Sequence, residues 1–224
     1  HFYGEPGVGK TTLANQFPSP IFIATEPGTS AMHAASVDVS TWQDMKLVLD
    51  ALRKEKHSYK TVVLDTVDVA YTLCTTHVCE SNGWVDVADG DFGRGWRAVD
   101  REWTNMIAQL RSLPMCAIFI GHEKREEIVE RMGSRDVATG RQRVSTALPR
   151  SARSTLHAAM DFILRCELTD DNERLLRTQP VEGKRERIEA KARGHKGAML
   201  PDTLPMSFKE LHTAFKANFD KETK

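Results

Sequence analysis

A chain of 224 residues and 25.2 kDa with 40% hydrophobic and 28% charged residues has the composition of a folded globular protein, which excludes global disorder. Lys plus Arg equals Asp plus Glu, 31 against 31, so no whole-molecule positive field points to nucleic acid and any basic site must be local. Cys74, Cys79, Cys116 and Cys166 lack CxxC pairing, and no apolar run approaches the roughly 20 residues of a membrane helix. The expectation is a soluble, cytoplasmic chain in a reducing setting, without a leader or a membrane partner.

His1-Phe2-Tyr3 enter a glycine loop without an initiator methionine, as the end of a strand that starts upstream. Lys10 to Phe17 reads as a helix, stopped by Pro18 and Pro20 before a strand at Ile21 to Ala24. Thr41 caps a helix reaching about Glu55, with Trp42, Met45, Leu49 and Leu52 at helical spacing. Thr61 to Leu64 is the next strand. Helices around Val67 to Cys79 and Trp96 to Leu113 follow, separated by the glycine-rich, acidic segment Ser81 to Gly95. Met115 to Ile120 is an apolar run suited to a strand buried on both faces of a parallel sheet.

Strands alternating with helices predict α/β architecture, a mostly parallel central sheet flanked by helices. After the Arg-rich segment Glu123 to Arg153, strands at Phe162 to Glu167, Leu175 to Thr178 and Ile188 to Ala192 resemble antiparallel additions at one sheet edge. Ser207 and Glu210 have capping-box spacing, and Phe208, Leu211, Phe215 and Phe219 stripe a closing helix over about 207–219. One domain over 1–224 is expected, with its core at about 1–197.

Gly4-Glu5-Pro6-Gly7-Val8-Gly9-Lys10-Thr11 matches GxxxxGK[ST] between a strand end and a helix start, with Thr12 following. Glycines let backbone N–H groups turn around phosphates, and the helix N-terminus adds positive potential. Lys10, read as a charge reaching into solvent, extends to the β and γ phosphates, and Thr11 supplies a hydroxyl to Mg²⁺. ATP and Mg²⁺ are the implied cofactors. Asp65, at the C-terminal end of its strand, is the expected Walker B carboxylate completing the metal site, and Asp68 reads as a helix cap. Thr66 follows Asp65 where many ATPases place glutamate, so the group that activates water must come from elsewhere; Glu26, just beyond the second strand, is the candidate.

These placements resemble the RecA-like P-loop NTPase core over about His1 to Gly197. The resemblance implies a polar sensor at His122, where bacterial RecA uses glutamine. It also implies that Lys191 and Arg193, in Ala190-Lys191-Ala192-Arg193-Gly194, reach the ATP of a neighbouring subunit in a head-to-tail ring or filament. The core length and the closing Leu200-Pro201-Asp202 are most similar to short phage RecA-like ATP-binding proteins, a group that includes single-strand annealing proteins. Implied partners are single-stranded DNA and a single-strand DNA-binding protein, in a phage-infected bacterial cell.

Lys124, Arg125, Arg131, Arg135, Arg141 and Arg143 stand where RecA-like proteins carry a DNA-binding loop, and a solvated charged hairpin is the competing reading. Cys74, His77 and Cys79 lack a fourth ligand for zinc, and Trp96 and Trp103 read as core. The leading expectation is a DNA-stimulated ATPase of recombination or annealing. The alternative is a P-loop switch or small-molecule kinase without DNA binding.

Overall fold

Buried β-branched and aromatic runs build the central strands at Pro20–Ala24 and Thr61–Asp65, and the helix at Trp42–Lys54 is an amphipathic segment with a polar cap. The computed structural model describes residues 1–26, 34–133, 135–192 and 199–220. In chain order come β1 (Phe2–Gly4), α1 (Lys10–Ala14), β2 (Pro20–Ala24), β3 (Ala35–Asp38), α2 (Trp42–Lys54), β4 (Thr61–Asp65) and α3 (Val67–Asn82). Next are α4 (Arg94–Arg111), β5 (Cys116–Met132), β6 (Arg135–Thr146), α5 (Arg150–Ala159), β7 (Leu164–Leu168) and β8 (Arg174–Arg177). Short strands β9 (Val181–Glu182), β10 (Glu186–Ile188) and β11 (Thr203–Pro205) precede α6 (Phe208–Asp220). The fold class is α/β, as expected.

These elements divide into two units, each discontinuous in sequence. One takes His1–Leu13, Gly121–Ala147 and Met160–Lys224, and the other Ala14–Ile120 and Leu148–Ala159.

In the second unit, parallel strands run in the order β5, β4, β2, β3, with Asp65 paired to Ala24 on one side and Ile120 on the other. Val62, Val63, Leu64, Phe22 and Ile23 are fully enclosed, as a parallel sheet covered on both faces requires. Helix α2 begins with a complete capping box: Asp44 N–H donates to Thr41 Oγ1 at 3.1 Å, and Thr41 N–H donates to Asp44 Oδ2 at 2.9 Å. Its buried face brings Trp42 to 6.4 Å from Trp103, and Tyr71 meets Trp103 edge-on at 5.3 Å. Trp103 Nε1 donates to the Ala152 carbonyl at 3.2 Å, so this ring is core as expected. Trp96 is not, being 52% exposed at the start of α4.

In the first unit, β1 pairs in parallel with β7, which continues antiparallel through β8 to β11. The expectation of antiparallel edge additions holds for β8; β7 pairs in parallel with β1, β10 pairs in parallel with β6 and antiparallel only with β9, and β11 is a strand the sequence reading does not anticipate. The far half of β5 pairs antiparallel with β6, β6 in parallel with β10, and β10 antiparallel with β9. Strand β5 therefore does not stop at Ile120. The β6 ladder carries it on to Met132, from Glu123 opposite Thr146 to Met132 opposite Arg135.

The strand expected over Ile188 to Ala192 ends at Ile188. Beyond it the chain leaves β6, and Lys191 exchanges both backbone hydrogen bonds with Ile163 in an isolated bridge. Ser207 Oγ accepts the Glu210 N–H at 3.1 Å at the start of α6, and Phe215 packs edge-on against Phe162 at 5.9 Å. The Phe219 side chain lies outside the described residues.

Candidate functional site

The glycine loop leaves β1 at Gly4, and α1 starts at Lys10, with Leu13 N–H donating to the Gly9 carbonyl at 2.9 Å. Gly4 is required by space: a Cβ there would lie 2.3 Å from the Cys166 carbonyl oxygen on β7. Gly7 and Gly9 are required by conformation, with φ of 76° and 106°. Lys10 is only 6% exposed, and its ammonium donates to the carbonyls of Gly4 at 2.9 Å and Glu5 at 2.8 Å. It is thus not the solvent-reaching charge expected from the motif. Its cation is folded inside its own loop, where carbonyl dipoles compensate the lost hydration. Thr11 is half-buried and Thr12 exposed in the first turn of α1.

Asp65 ends β4 with 9% exposure. The adjoining ends of β2 and β4 are bonded to each other. Thr25 N–H donates to the Asp65 carbonyl at 2.8 Å, Thr66 N–H donates to Thr25 Oγ1 at 2.8 Å, and Thr25 Oγ1 donates to the Thr66 carbonyl at 3.1 Å. Thr66 Oγ1 then donates to Glu26 Oε1 at 3.3 Å. The parallel pairing of β2 with β4 thus sets Glu26 beside the residue after Asp65. Asp68 is not the cap of α3, because Thr66 holds that position, but it charges the first turn where the helix dipole favours an anion.

His122 is half-buried inside β5, and its carbonyl accepts the Ala147 N–H at 2.8 Å, so it does not end its strand as expected. Lys191 Nζ donates to the Met160 carbonyl at 2.6 Å, turned inward and not toward an external target. Arg193 lies outside the described residues.

The segment expected as a DNA-binding loop or charged hairpin is the β5–β6 hairpin. Its cations mostly face carboxylates: Lys124 with Glu126 at 2.7 Å, Arg125 with Glu123 at 3.1 Å, Arg141 with Glu182 at 3.4 Å and Arg143 with Glu189 at 3.8 Å. Arg131 and Arg135 are exposed near its end. Elsewhere, the Lys46 ammonium donates to His77 Nε2 at 3.2 Å, and Cys74 and Cys79 are buried.

Residues 5–8 of the glycine loop line a cleft of about 270 Å³ with Arg125, Arg165, Cys166, Glu167, Leu168 and Arg174. Arg165 Nε donates to Glu123 Oε2 and its Nη1 to Glu167 Oε2, both at 2.7 Å. Burial opposes the Arg165 charge, and the Glu123 and Glu167 carboxylates more than offset it, so the guanidinium titrates above its ordinary value. Arg174 Nε donates to the Val8 carbonyl at 3.0 Å. Sequence reasoning missed Arg174, because 166 residues separate it from Val8 and no spacing signals the contact.

The glycine loop, with positive-φ glycines, a helix start and an enclosed lysine, fits a phosphate-bearing ligand. The family model described as an AAA domain matches residues 1–193. The chain belongs to the AAA domain family. The matched span includes residues 4–11 of the AAA domain chain, which carry the GxxxxGK[ST] pattern. It is also 29% identical over 126 residues to the SPbeta prophage-derived uncharacterized protein YorG of Bacillus subtilis (strain 168). That stretch covers 54% of the chain and 39% of the relative, so the AAA domain chain spans about two fifths of the relative's length. Among the described residues, no helix is long and apolar enough to cross a membrane.

Proposed function

We propose that the chain is a magnesium-dependent ATPase of RecA-like character that couples nucleotide binding to single-stranded DNA, in phage-type recombination or strand annealing. The observation that carries the hydrolytic part is the hydrogen bond from Thr66 to Glu26, directly beyond Asp65. A carboxylate that accepts one hydrogen bond from a neutral hydroxyl retains further acceptor positions, which a group that orients water needs. Thr11 and Asp65 are the residues assigned to Mg²⁺, which supplies charge neutralisation on phosphates when bound. Lys10 is assigned to the phosphates themselves and His122 to sensing them.

The DNA part is supported by the RecA-like resemblance, the prophage relative and the cations of the β5–β6 hairpin. The proposed assembly is head-to-tail, as a ring or filament. Its intersubunit cation is Arg193, since Lys191 is engaged with the Met160 carbonyl. The carboxylate partners of Arg125, Arg141 and Arg143 favour a second reading, a P-loop switch or small-molecule kinase without DNA.

Steady-state ATPase assays with and without single-stranded DNA separate the two. Stimulation by DNA supports the first reading, and turnover indifferent to DNA supports the second. Turnover in Lys10→Ala equal to that of the unaltered chain sinks both.

A further inference from the structure

We propose that Arg174 is a positioning residue for the phosphate loop, acting through the Val8 carbonyl; the inference rests on the nucleotide reading above. Arg174 Nε donates to Val8 O at 3.0 Å, and the Met206 N–H donates to the Arg174 carbonyl at 3.0 Å. On the same side, a Cβ at Gly9 would lie 2.9 Å from Met206 Cε and 3.5 Å from Arg174 Nε. The β8 and β11 edge thus presses on the loop just before α1.

The peptide between Val8 and Gly9 is planar, so its carbonyl and its N–H point in opposite directions. Holding Val8 O on Arg174 therefore aims the Gly9 N–H away from Arg174. Gly9 also starts α1 through its own carbonyl, which receives the Leu13 N–H at 2.9 Å. The residue is pinned on both sides at φ 106°, a conformation glycine enters freely and leaves as freely. Without Arg174, the plane can turn and the amide loses its aim. This role needs only an N–H donor at the Nε position, not a charge, and it differs from that of a cation touching phosphate.

The test compares Arg174→Met, which keeps the stem and removes the donor, with Arg174→Gln, which restores a neutral donor. A slowly hydrolysed ATP analogue and Mg²⁺ are titrated onto the full chain, alongside kcat, KM and thermal melting. Arg174→Met is expected to weaken analogue binding and raise KM about tenfold with kcat within about twofold, and Arg174→Gln to stay within about threefold of the unaltered chain. A folded Arg174→Met protein with unchanged affinity overturns the proposal. Equal losses in both variants also overturn it, because charge and not the hydrogen bond would then matter. If Arg174→Met does not fold, Arg174→Lys replaces it. Its donor sits beyond the Val8 carbonyl, so retained affinity overturns the role and a loss beside a near-normal Arg174→Gln supports it. Lys10→Ala separates the levels: normal analogue binding in that variant fells the nucleotide reading itself, whereas impaired binding there with normal Arg174→Met fells only the positioning role.

Discussion

Thr66 donates its hydroxyl to Glu26 at 3.3 Å, across neighbouring parallel strand ends, one residue past the buried Asp65. Two residues 40 apart in sequence are thereby brought within a single hydrogen bond of each other. Glu26 lies two residues past the end of β2, and the Thr25–Thr66 hydrogen bonds tie the chain just before it to the end of β4.

Glu26→Gln keeps the shape and the bond to Thr66 while removing the base. The expected result is ATP-analogue binding close to that of the unaltered chain and a fall in kcat of about 100-fold or more. Rapid-quench measurement of one turnover checks it, and near-normal turnover would move the base elsewhere.

Gly4→Ala forces a methyl group against the Cys166 carbonyl on β7. Backbone cannot yield cheaply there, so a loss of about 2 to 3 kcal/mol in unfolding free energy is expected. Gly7→Ala meets nothing within 4 Å but must adopt φ 76°, and a smaller loss of about 1 kcal/mol follows. Urea unfolding of both variants reads the order, which the opposite ranking would refute.

Thiol chemistry follows burial. Burial pushes Cys166 up to about 12, against the opposing pull of the Lys10 ammonium, and pushes Cys74 up to about 12 as well. Both are neutral at pH 8. An aromatic disulfide reagent should therefore label the exposed Cys116 first and reach Cys74 and Cys166 only on unfolding. The sign of the linkage is destabilising at high pH: the folded thiols hold protons that the unfolded ones release near 9.0, so stability falls as pH rises from about 9 toward 12.

If the β5–β6 hairpin binds single strands, affinity falls with salt at a log-log slope of about −0.7 per neutralised phosphate. Replacing Arg131 and Arg135 together with Ala should flatten that slope by about 1.4. Replacing Arg141 and Arg143 should do less, since each stands beside a glutamate. Identical slopes in all three proteins would remove the hairpin from the DNA reading.

The glycine loop between β1 and α1 and the capped start of α2 are legible because their determinants are local: GxxxxGK[ST] on one side, Thr41 with Asp44 on the other. The course of β5 beyond Ile120 was hidden because Glu123 to Met132 is polar and lacks the apolar alternation that marks a half-buried strand. Its strand character comes from β6. The direction of β7 was hidden likewise, since parallel pairing with β1 depends on a partner far away in sequence. Lys191 fell on the wrong element because an apolar-polar run in sequence does not reveal where a chain leaves its ladder.

Oxidation of Met206 is expected to disturb the glycine loop by a route that involves no cysteine. Its terminal methyl group occupies the space a side chain at position 9 would need, and the residue is only half-buried. Conversion to the sulfoxide would place a polar, chiral oxygen on a thioether now serving as an apolar wedge. Peroxide-treated protein should lose ATP affinity in proportion to sulfoxide at this position and regain it with a methionine sulfoxide reductase, while Met206→Leu should resist the treatment.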